Sequence, residues 1–514
     1  MDRVKPSTTQ LTNTHLFLLC ISIGLATFLD VLDLAITNVA LPDITGSLGE
    51  SPFNGAWVIS SYAIGSAIII PISGYLSNRF GEVKVFTTSI LFFIITSAAC
   101  GFASNFYMLV FFRVLQGVCA GPLMPLSQSL LLANFPEAKK GIAIALWSMI
   151  AVAGPILGPI LGGLITDTIG WRWIFYINLP IGILSLFMNL VLLRHHKTKI
   201  IKNPIDITAL ILLVLGVASL QLFLDQGNDD GWFQSNAIIL LFCVGVITLA
   251  LFIIWTLTSK KPIIDLTLYK MRNFLLMNIV TLLTYVAIYG SIIIYPLWLE
   301  TQLGYNAFWT GLAIMPSALF ILFGAPIIGL FTSKVDLRIL MTLSCIFFVI
   351  AAYTASLYNT EASFTSLLPP RIMLGIAISF TIAPTTIIAV SNIAKDRLPN
   401  AMSLLSFFRV LGAAIGSSIG VAVFQIREKF HYHNLKGSIN NSNSQVDATL
   451  NTLKDAGMPG NSGLEWIYNQ TIKQAYTLAI NDYFMLVMFS FVLIAIIIWL
   501  TKPTDNTHTA LPLE

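Results

Sequence analysis

Five side chains in this sequence carry charge where charge is expensive. Asp30, Asp33, Arg113, Arg371 and Arg409 all lie inside long apolar runs. A charge at the centre of a bilayer costs about 3 kcal/mol or more on insertion scales, so such groups face a cavity or a partner. Asp30 and Asp33 are three residues apart and share one helical face. A carboxyl among apolar neighbours and beside a like charge holds its proton more tightly than in water. One of the pair is therefore expected to exchange a proton for a cationic substrate; the alternative is a carboxylate that packs against a polar neighbour without titrating. Arg113 stays cationic at any working pH. It either tunes a neighbouring carboxyl or completes a static ion pair, and Gln116, nearly one turn on, belongs to the same network. Arg409 lies one turn before Gly412, and Arg371 opens a late apolar run near the outer surface. Both also suit plain interface anchors.

The elements that must position these groups are membrane spans. Apolar residues make up 56% of the 514 residues and charged residues only 10%, against about 25% charged in soluble domains. Apolar runs of spanning length predict helices over 15–40, 55–76, 83–103, 106–133, 141–166, 172–193, 206–225, 235–258, 274–299, 308–331, 338–357, 367–392, 400–424 and 482–501. The connections alternate in charge. One set carries Arg79, Lys84, Lys139, Lys140, Lys197, Lys202, Lys260, Lys261, Lys334, Lys395 and Arg397. The other carries Asp43, Glu50, Asp167, Asp229, Asp230 and Glu300. Positive charge is retained in the cytoplasm, which puts the basic set and both termini inside. The five cysteines lie in apolar segments without a Cys-x-x-Cys pair and read as reduced packing residues. The polar lead before the first span is followed by no small-residue cleavage site, so it is not read as a removable signal.

Glycines repeat with the period of a packing face. Gly154, Gly158 and Gly162 recur every four residues, with Pro155 and Pro159 interleaved and Gly163 following. A stripe of this kind lets two spanning helices approach closely. It returns 258 residues later as Gly412, Gly416 and Gly420, the same separation as Arg113 and Gly117 from Arg371 and Gly375. Pro71-Ile72-Ser73-Gly74 is echoed by Pro326-Ile327-Ile328-Gly329. Two six-helix halves with two extra central helices follow: a cytoplasmic N-terminus (1–14), an N-terminal half (15–193), basic loops with the two extra spans (194–273), a C-terminal half (274–501) that includes an external loop (425–481), and a cytoplasmic tail (502–514). Repeated halves with a site between them near the midplane describe an alternating-access transporter.

Several motifs now converge. Leu32-Asp33-Leu34-Ala35-Ile36-Thr37-Asn38-Val39-Ala40-Leu41-Pro42, Arg113-Val114-Leu115-Gln116-Gly117, the Gly154-to-Gly163 run and Trp171-Arg172-Trp173-Ile174-Phe175-Tyr176-Ile177-Asn178-Leu179-Pro180 together resemble the fourteen-span drug/proton antiporters of the EmrB/QacA type in the major facilitator superfamily. The resemblance covers essentially the whole chain. It implies the major facilitator fold and proton-coupled multidrug efflux, antibiotic resistance included, of lipophilic toxic compounds across the bacterial inner membrane. A dedicated exporter of one metabolite, fatty acid, siderophore or antibiotic is the alternative on the same fold. It also implies proton coupling through Asp33 and the groups around it, and work as the permease of a tripartite pump with a periplasmic membrane-fusion adaptor (EmrA-like) and a TolC-like outer-membrane channel. Two departures stand out. The second-loop motif reads Gly74-Tyr75-Leu76-Ser77-Asn78-Arg79-Phe80-Gly81, with Asn78 where the family carries Asp, which puts a charge-based cytoplasmic latch in doubt. Asp30 is a carboxylate additional to the span-1 motif.

The remaining candidates are weaker. Trp57, Tyr62, Trp147, Tyr285, Tyr289 and Tyr295 are able to line a cavity for lipophilic cations or to pack and anchor. Asp206 reads as a helix N-cap. The external loop begins with Arg427 to His433, has an Asn/Ser-rich middle (Asn440 to Ser444) expected to be flexible, and ends in an apolar-spaced surface helix from Leu464 to Tyr476. It suits an adaptor-docking site or a passive insertion. His431 and His433 are too few for a metal site. No cofactor or nucleic-acid partner is expected, and the absence of a GxxxxGK[ST] sequence points to a gradient rather than ATP as the energy source. An enzyme or a passive channel would need clustered polar groups at one face, or rings of like charge, and neither pattern occurs.

Overall fold

The computed structural model describes residues 13–50, 52–194, 200, 206–228, 231–259, 262–437, 439, 444–457 and 461–503. The expected Lys197, Lys202, Lys260, Lys261, Asp229 and Asp230, the middle of the external segment at 440–443, and most of both termini lie outside these residues. The described chain is helical, and fourteen helical segments are long and apolar enough to cross a membrane. They are Thr14–Leu48, Trp57–Phe80, Glu82–Gly101, Phe106–Asn134, Glu137–Ile169, Trp173–Leu192, Ile207–Gln226, Asn236–Thr258, Arg272–Gln302, Phe308–Phe331, Leu337–Ala355, Phe364–Val390, Lys395–Gly437 and Asn461–Trp499, here called spans 1 to 14. Spans 4 and 12 are broken near mid-depth, into Phe106–Ala120 and Leu123–Asn134, and into Phe364–Ser379 and Ile382–Val390. Pro122 and Pro384 stand at these breaks, where a missing N–H costs least.

Glycines set the helix pairs. Gly154 lies against Val31 and Leu32, Gly158 against Ala35 and Ile36, and Gly162 against Ile36 and Val39, so span 5 packs on span 1 along the predicted stripe. Gly163 points into open space, and Pro155 and Pro159 are exposed. The second half repeats the arrangement: Gly412, Gly416 and Gly420 of span 13 meet Leu282, Val286 and Gly290 of span 9. Gly117 presses on the carbonyl of Tyr62 in span 2, and its counterpart Gly375 on Ser317 in span 10.

The halves meet at the end of the bundle that carries the basic loops. Gly74 of span 2 backs onto Asn400 of span 13, and the Ser73 and Ser403 hydroxyls are 2.8 Å apart. On the opposite side Gly329 of span 10 backs onto Gly141, Ile142 and Ala145 of span 5. The seal is thus made of small residues on both sides, with a neutral hydroxyl pair on the first. Asn78 is half-buried next to it, and Arg79 donates from Nη1 to the Tyr75 hydroxyl at 3.0 Å. Gly81 takes φ +98°, which a Cβ would strain, to start span 3 immediately after span 2.

The two extra spans lodge against the seam between the halves. Span 7 packs on span 2 and on span 13. At its acidic-loop end the carbonyl of Leu224 accepts from Ser418 of span 13, and Asn228 donates to the Ser418 carbonyl at 3.1 Å. Asp206 caps span 7, as expected, accepting from the Ala209 N–H, and also accepts from Trp255 Nε1 at 2.8 Å. The external segment differs from the expected loop. Span 13 continues as helix to Gly437, a short helix covers Ser444–Asp455, and the expected surface helix is the first part of span 14. Arg427 and His431 reach Asp482 across this hairpin, each at 2.6 Å. Leu464 to Tyr476 mixes apolar and polar residues and is continuous with the following span, with no proline or glycine to end the helix between them.

A methyl on Gly158 would overlap the Ala35 side chain, whereas one on Gly163 would meet nothing. Gly158→Ala is predicted to cost about 1–3 kcal/mol through overpacking, while Gly163→Ala is neutral or slightly stabilising. Thermal unfolding of the two purified variants in detergent checks the difference.

Candidate transport site

Asp33 and Arg113 form an ion pair with no exposed surface on either side chain. The carboxylate is saturated. Arg113 Nη1 and Gln116 Nε2 (3.0 Å) donate to it from span 4, and Asn178 Nδ2 (2.7 Å) from span 6. Arg113 also donates through Nε to the Val58 carbonyl of span 2 at 3.0 Å and through Nη1 to Gln116 Oε1 at 2.8 Å. Ser97 of span 3 accepts from Asn178 at 3.0 Å and donates to the Phe175 carbonyl. Five helices thus converge on one neutral pair, and the close Gly117–Tyr62 approach is what lets span 4 bring Arg113 there.

Asp30 lies about one turn closer to the basic end and is only half-buried. Its carboxylate accepts from the Tyr62 hydroxyl at 2.5 Å. The Tyr62 ring in turn lies 4.3 Å from the Arg113 guanidinium, a cation–π contact. Tyr62 therefore joins Asp30 to the buried pair, while among the described residues no cation stands within ion-pair distance of Asp30 itself. Across the seam, Tyr285 and Tyr289 stack at 5.8 Å, and Tyr289 stays 38% exposed at the middle of span 9, within electrostatic reach of Asp30. That interaction turns Tyr289 toward the first half.

The other two arginines are buried too. Arg409 is 4% exposed and crosses the seam: Nη1 donates to Gln128 of span 4 at 2.8 Å and Nη2 to Thr386 of span 12 at 3.0 Å. It faces a small cavity lined by Thr281, Thr284, Tyr285, Thr381 and Thr385. No carboxylate within ion-pair distance of Arg409 occurs among the described residues. Arg371, expected near the outer surface, is 5% exposed and lies over the Tyr295 ring at 3.3 Å. Arg371 thus has an aromatic face where Arg113 has an acid.

The structure brings Asp30, Asp33, Arg113 and Gln116 together, and sets Arg409 on the facing half. The Gly154, Gly158 and Gly162 stripe supports span 1 from behind and does not enter the cavity. Of the aromatic candidates, Tyr62, Tyr285 and Tyr289 belong to the site. Trp147 is buried and donates to Thr27 and Ser127, and Tyr295 is buried under Arg371. Sequence reasoning missed Asn178 as a ligand of Asp33, although it sits in the quoted Ile177-Asn178-Leu179-Pro180 run, and missed Gln128 and Thr386 altogether. A polar side chain in an apolar span was the available signal.

Two six-helix halves of matching design, with a buried ionisable cluster beside a cavity at their seam, define a secondary transporter rather than an enzyme. The sequence profile of the Major Facilitator Superfamily matches residues 23–417. The chain is 41% identical to the multidrug export protein EmrB of Escherichia coli K12, over 98% of each chain. It is 40% identical to EmrB of Haemophilus influenzae, over 96% of this chain and 97% of that one. It is 38% identical to the fatty acid resistance protein FarB of Neisseria gonorrhoeae, over 94% of this chain and 95% of that one. Among solved structures, the human organic anion transporter MFSD10 aligns with TM-score 0.59 at 13% identity, over 93% of this chain and 99% of that one. The proton:xylose symporter XylE aligns at 0.58 and 14%, over 96% and 97%. The chain belongs to the major facilitator superfamily.

Removing one partner of a buried pair leaves an uncompensated charge and costs about 3–5 kcal/mol. Arg113→Ala is predicted to lower the unfolding midpoint sharply, and adding Asp33→Asn to it to restore much of the loss by removing the orphaned charge. Thermal unfolding of the single and double variants checks this.

Proposed function

We propose that this protein is a proton-coupled multidrug exporter in which Asp30 is the proton-exchanging group. Asp33 with Arg113 is the fixed anchor that holds span 1 in register. The observation that carries this reading is the contrast between the two carboxylates. Asp33 has three donors and no solvent contact, whereas Asp30 is half-buried with one neutral donor. A cationic lipophilic substrate entering between Asp30 and the Tyr285–Tyr289 stack competes with the proton for the same carboxylate, and that competition is the coupling. The names of the relatives support multidrug export as the activity. The charge bias of the loops supports cytoplasmic termini in the inner membrane, with the 425–481 hairpin in the periplasm. That hairpin is the surface we assign to an EmrA-like adaptor leading to a TolC-like channel. Its support is a groove between Tyr432, Lys436, Leu464 and Tyr468, flanked by exposed Phe430 and Trp466.

A second reading, an exporter dedicated to lipophilic anions, is favoured by Arg409, a buried guanidinium at the seam without an acid partner among the described residues. It is also favoured by the FarB relative, whose name records fatty acid resistance.

Everted vesicles energised by an imposed pH gradient separate the readings. Gradient-driven uptake of several unrelated cationic dyes, lost in Asp30→Asn at normal protein levels, supports the first. Uptake confined to lipophilic carboxylates and lost in Arg409→Gln supports the second. Undiminished dye uptake by Asp30→Asn would remove Asp30 from the mechanism.

The topology carries its own prediction. Epitope tags inserted at 200 and at 445 label from opposite faces of the membrane in intact cells, and labelling from the same face would overturn the orientation.

A further inference from the structure

Away from the transport site, the basic end of the second half holds a polar pocket of about 220 Å³. Three chain segments build it: residues 270–274 entering span 9, residues 389–393 leaving span 12, and Lys502 just past span 14. Its floor is Asn273, which is 6% exposed and ties the three together. Asn273 Nδ2 donates to the Ser391 hydroxyl at 3.2 Å and to the Lys502 carbonyl at 3.1 Å, and the Lys502 N–H donates back to Asn273 Oδ1 at 2.7 Å. A pocket fastened in this way keeps its shape whether or not it is filled.

Lys270, Arg272 and Lys502 line the pocket. Among the described residues none of the three meets a carboxylate. Three other cations at the same end are paired: Lys140 with Glu137, Arg338 with Asp336 and Arg397 with Asp265. The N-terminus of the 31-residue span-9 helix, which has no side-chain cap, also opens at the pocket, adding unsatisfied N–H groups and the positive end of the helix dipole. Three cations and a helix N-terminus make a site for a singly or doubly charged oxyanion, and Asn273 and Ser391, whose hydrogens are already donated to Ser391, Lys502 and Ile388, hold its walls in place. Its position selects the source. The pocket lies at the ends of three membrane spans, and Leu275 and Leu500, within two residues of its lining in the chain, are exposed.

We propose that this pocket binds the phosphate of an anionic phospholipid in the leaflet facing the basic loops, with an acyl chain lying along Leu275 and Leu500. Basic pockets between spanning helices recognise such headgroups, each Lys or Arg near the surface adding attraction to an anionic lipid. All three contributing segments belong to the second half. The lipid therefore stabilises that half as a unit and leaves the seam between the halves free to rock. The inference depends on the membrane placement of the spans and not on what the protein exports.

The test uses the purified full-length protein and its Lys270→Gln/Arg272→Gln/Lys502→Gln variant. Thermal unfolding is followed in zwitterionic detergent with added phosphatidylglycerol, phosphatidylcholine or inorganic phosphate, and bound lipids are counted by native mass spectrometry. Phosphatidylglycerol is expected to raise the midpoint of the native protein above that in phosphatidylcholine. The variant is expected to match the native midpoint in phosphatidylcholine, to gain nothing extra from phosphatidylglycerol, and to bind it at least about 10-fold more weakly. An equal response to both lipids in the native protein, or an unchanged phosphatidylglycerol response in the variant, overturns the proposal. Inorganic phosphate producing the full shift overturns the lipid as source. If the triple variant fails to fold, Lys502→Gln at the chain's end takes its place, and native-like phosphatidylglycerol occupancy in that variant is equally fatal.

Discussion

A carboxylate and a guanidinium with no exposed surface, Asp33 and Arg113, set the terms for the first half of this protein. Taking two charges out of water costs more than their attraction returns unless further hydrogen bonds complete the geometry. Here those bonds come from Gln116, Asn178 and the Val58 carbonyl. Spans 1, 2, 4 and 6 must therefore sit in one relative register, and span 3 joins them through Ser97. The glycines are the geometric counterpart of that demand. Gly117 lets span 4 reach span 2, and the Gly154 stripe lets span 5 press span 1 from behind. The pair is electrically neutral as a unit, and in the proposed mechanism the acid left to meet a substrate is Asp30.

The second half keeps the frame and changes the chemistry. Gly375, Gly412, Gly416 and Gly420 reproduce the same helix pairings, but Arg371 rests on Tyr295 instead of on an acid. The membrane-embedded carboxylates of spans 1 to 6 thus face a half whose contribution at the seam is cationic and aromatic: Arg409, Tyr285 and Tyr289. The halves are sealed at the basic-loop end by glycine contacts and by the Ser73–Ser403 hydroxyl pair. Neutral contacts of this type separate at modest cost, which suits a surface that must open and close on each cycle. Arg409 reaches Gln128 and Thr386 from the same seam, so movement of the halves changes the surroundings of a buried charge.

Much of this was legible in the residues. The span count, the repeat and the packing face of Gly154, Gly158 and Gly162 follow from hydropathy and four-residue spacing, because a bilayer permits few alternatives to a helix. Asp30, Asp33, Arg113 and Gln116 stood out because charge and amide groups are rare in apolar spans. What spacing could not supply was partnership between distant segments. Nothing local distinguishes Asp33 from Asp30, and what sets them apart comes from distant partners such as Asn178 of span 6, 145 residues away. Tyr62 was one aromatic among six until its hydroxyl was seen on Asp30. Gly163 shares the sequence motif with its neighbour Gly162 but not its contact, because one residue turns the position about 100° around the helix. The external segment read as a loop because its composition is polar, yet polar helices extend spans as readily as apolar ones once they leave the lipid.

The central claim is that substrate and proton compete for Asp30 while Asp33 stays locked to Arg113. The most direct measurement is proton release on binding: a saturating cationic substrate is added to purified protein in weakly buffered solution at several pH values, and the pH change is recorded. The account predicts stoichiometric release from the native protein and none from Asp30→Asn, with substrate still bound by the variant. Undiminished proton release from Asp30→Asn would contradict it and move the exchange to another group.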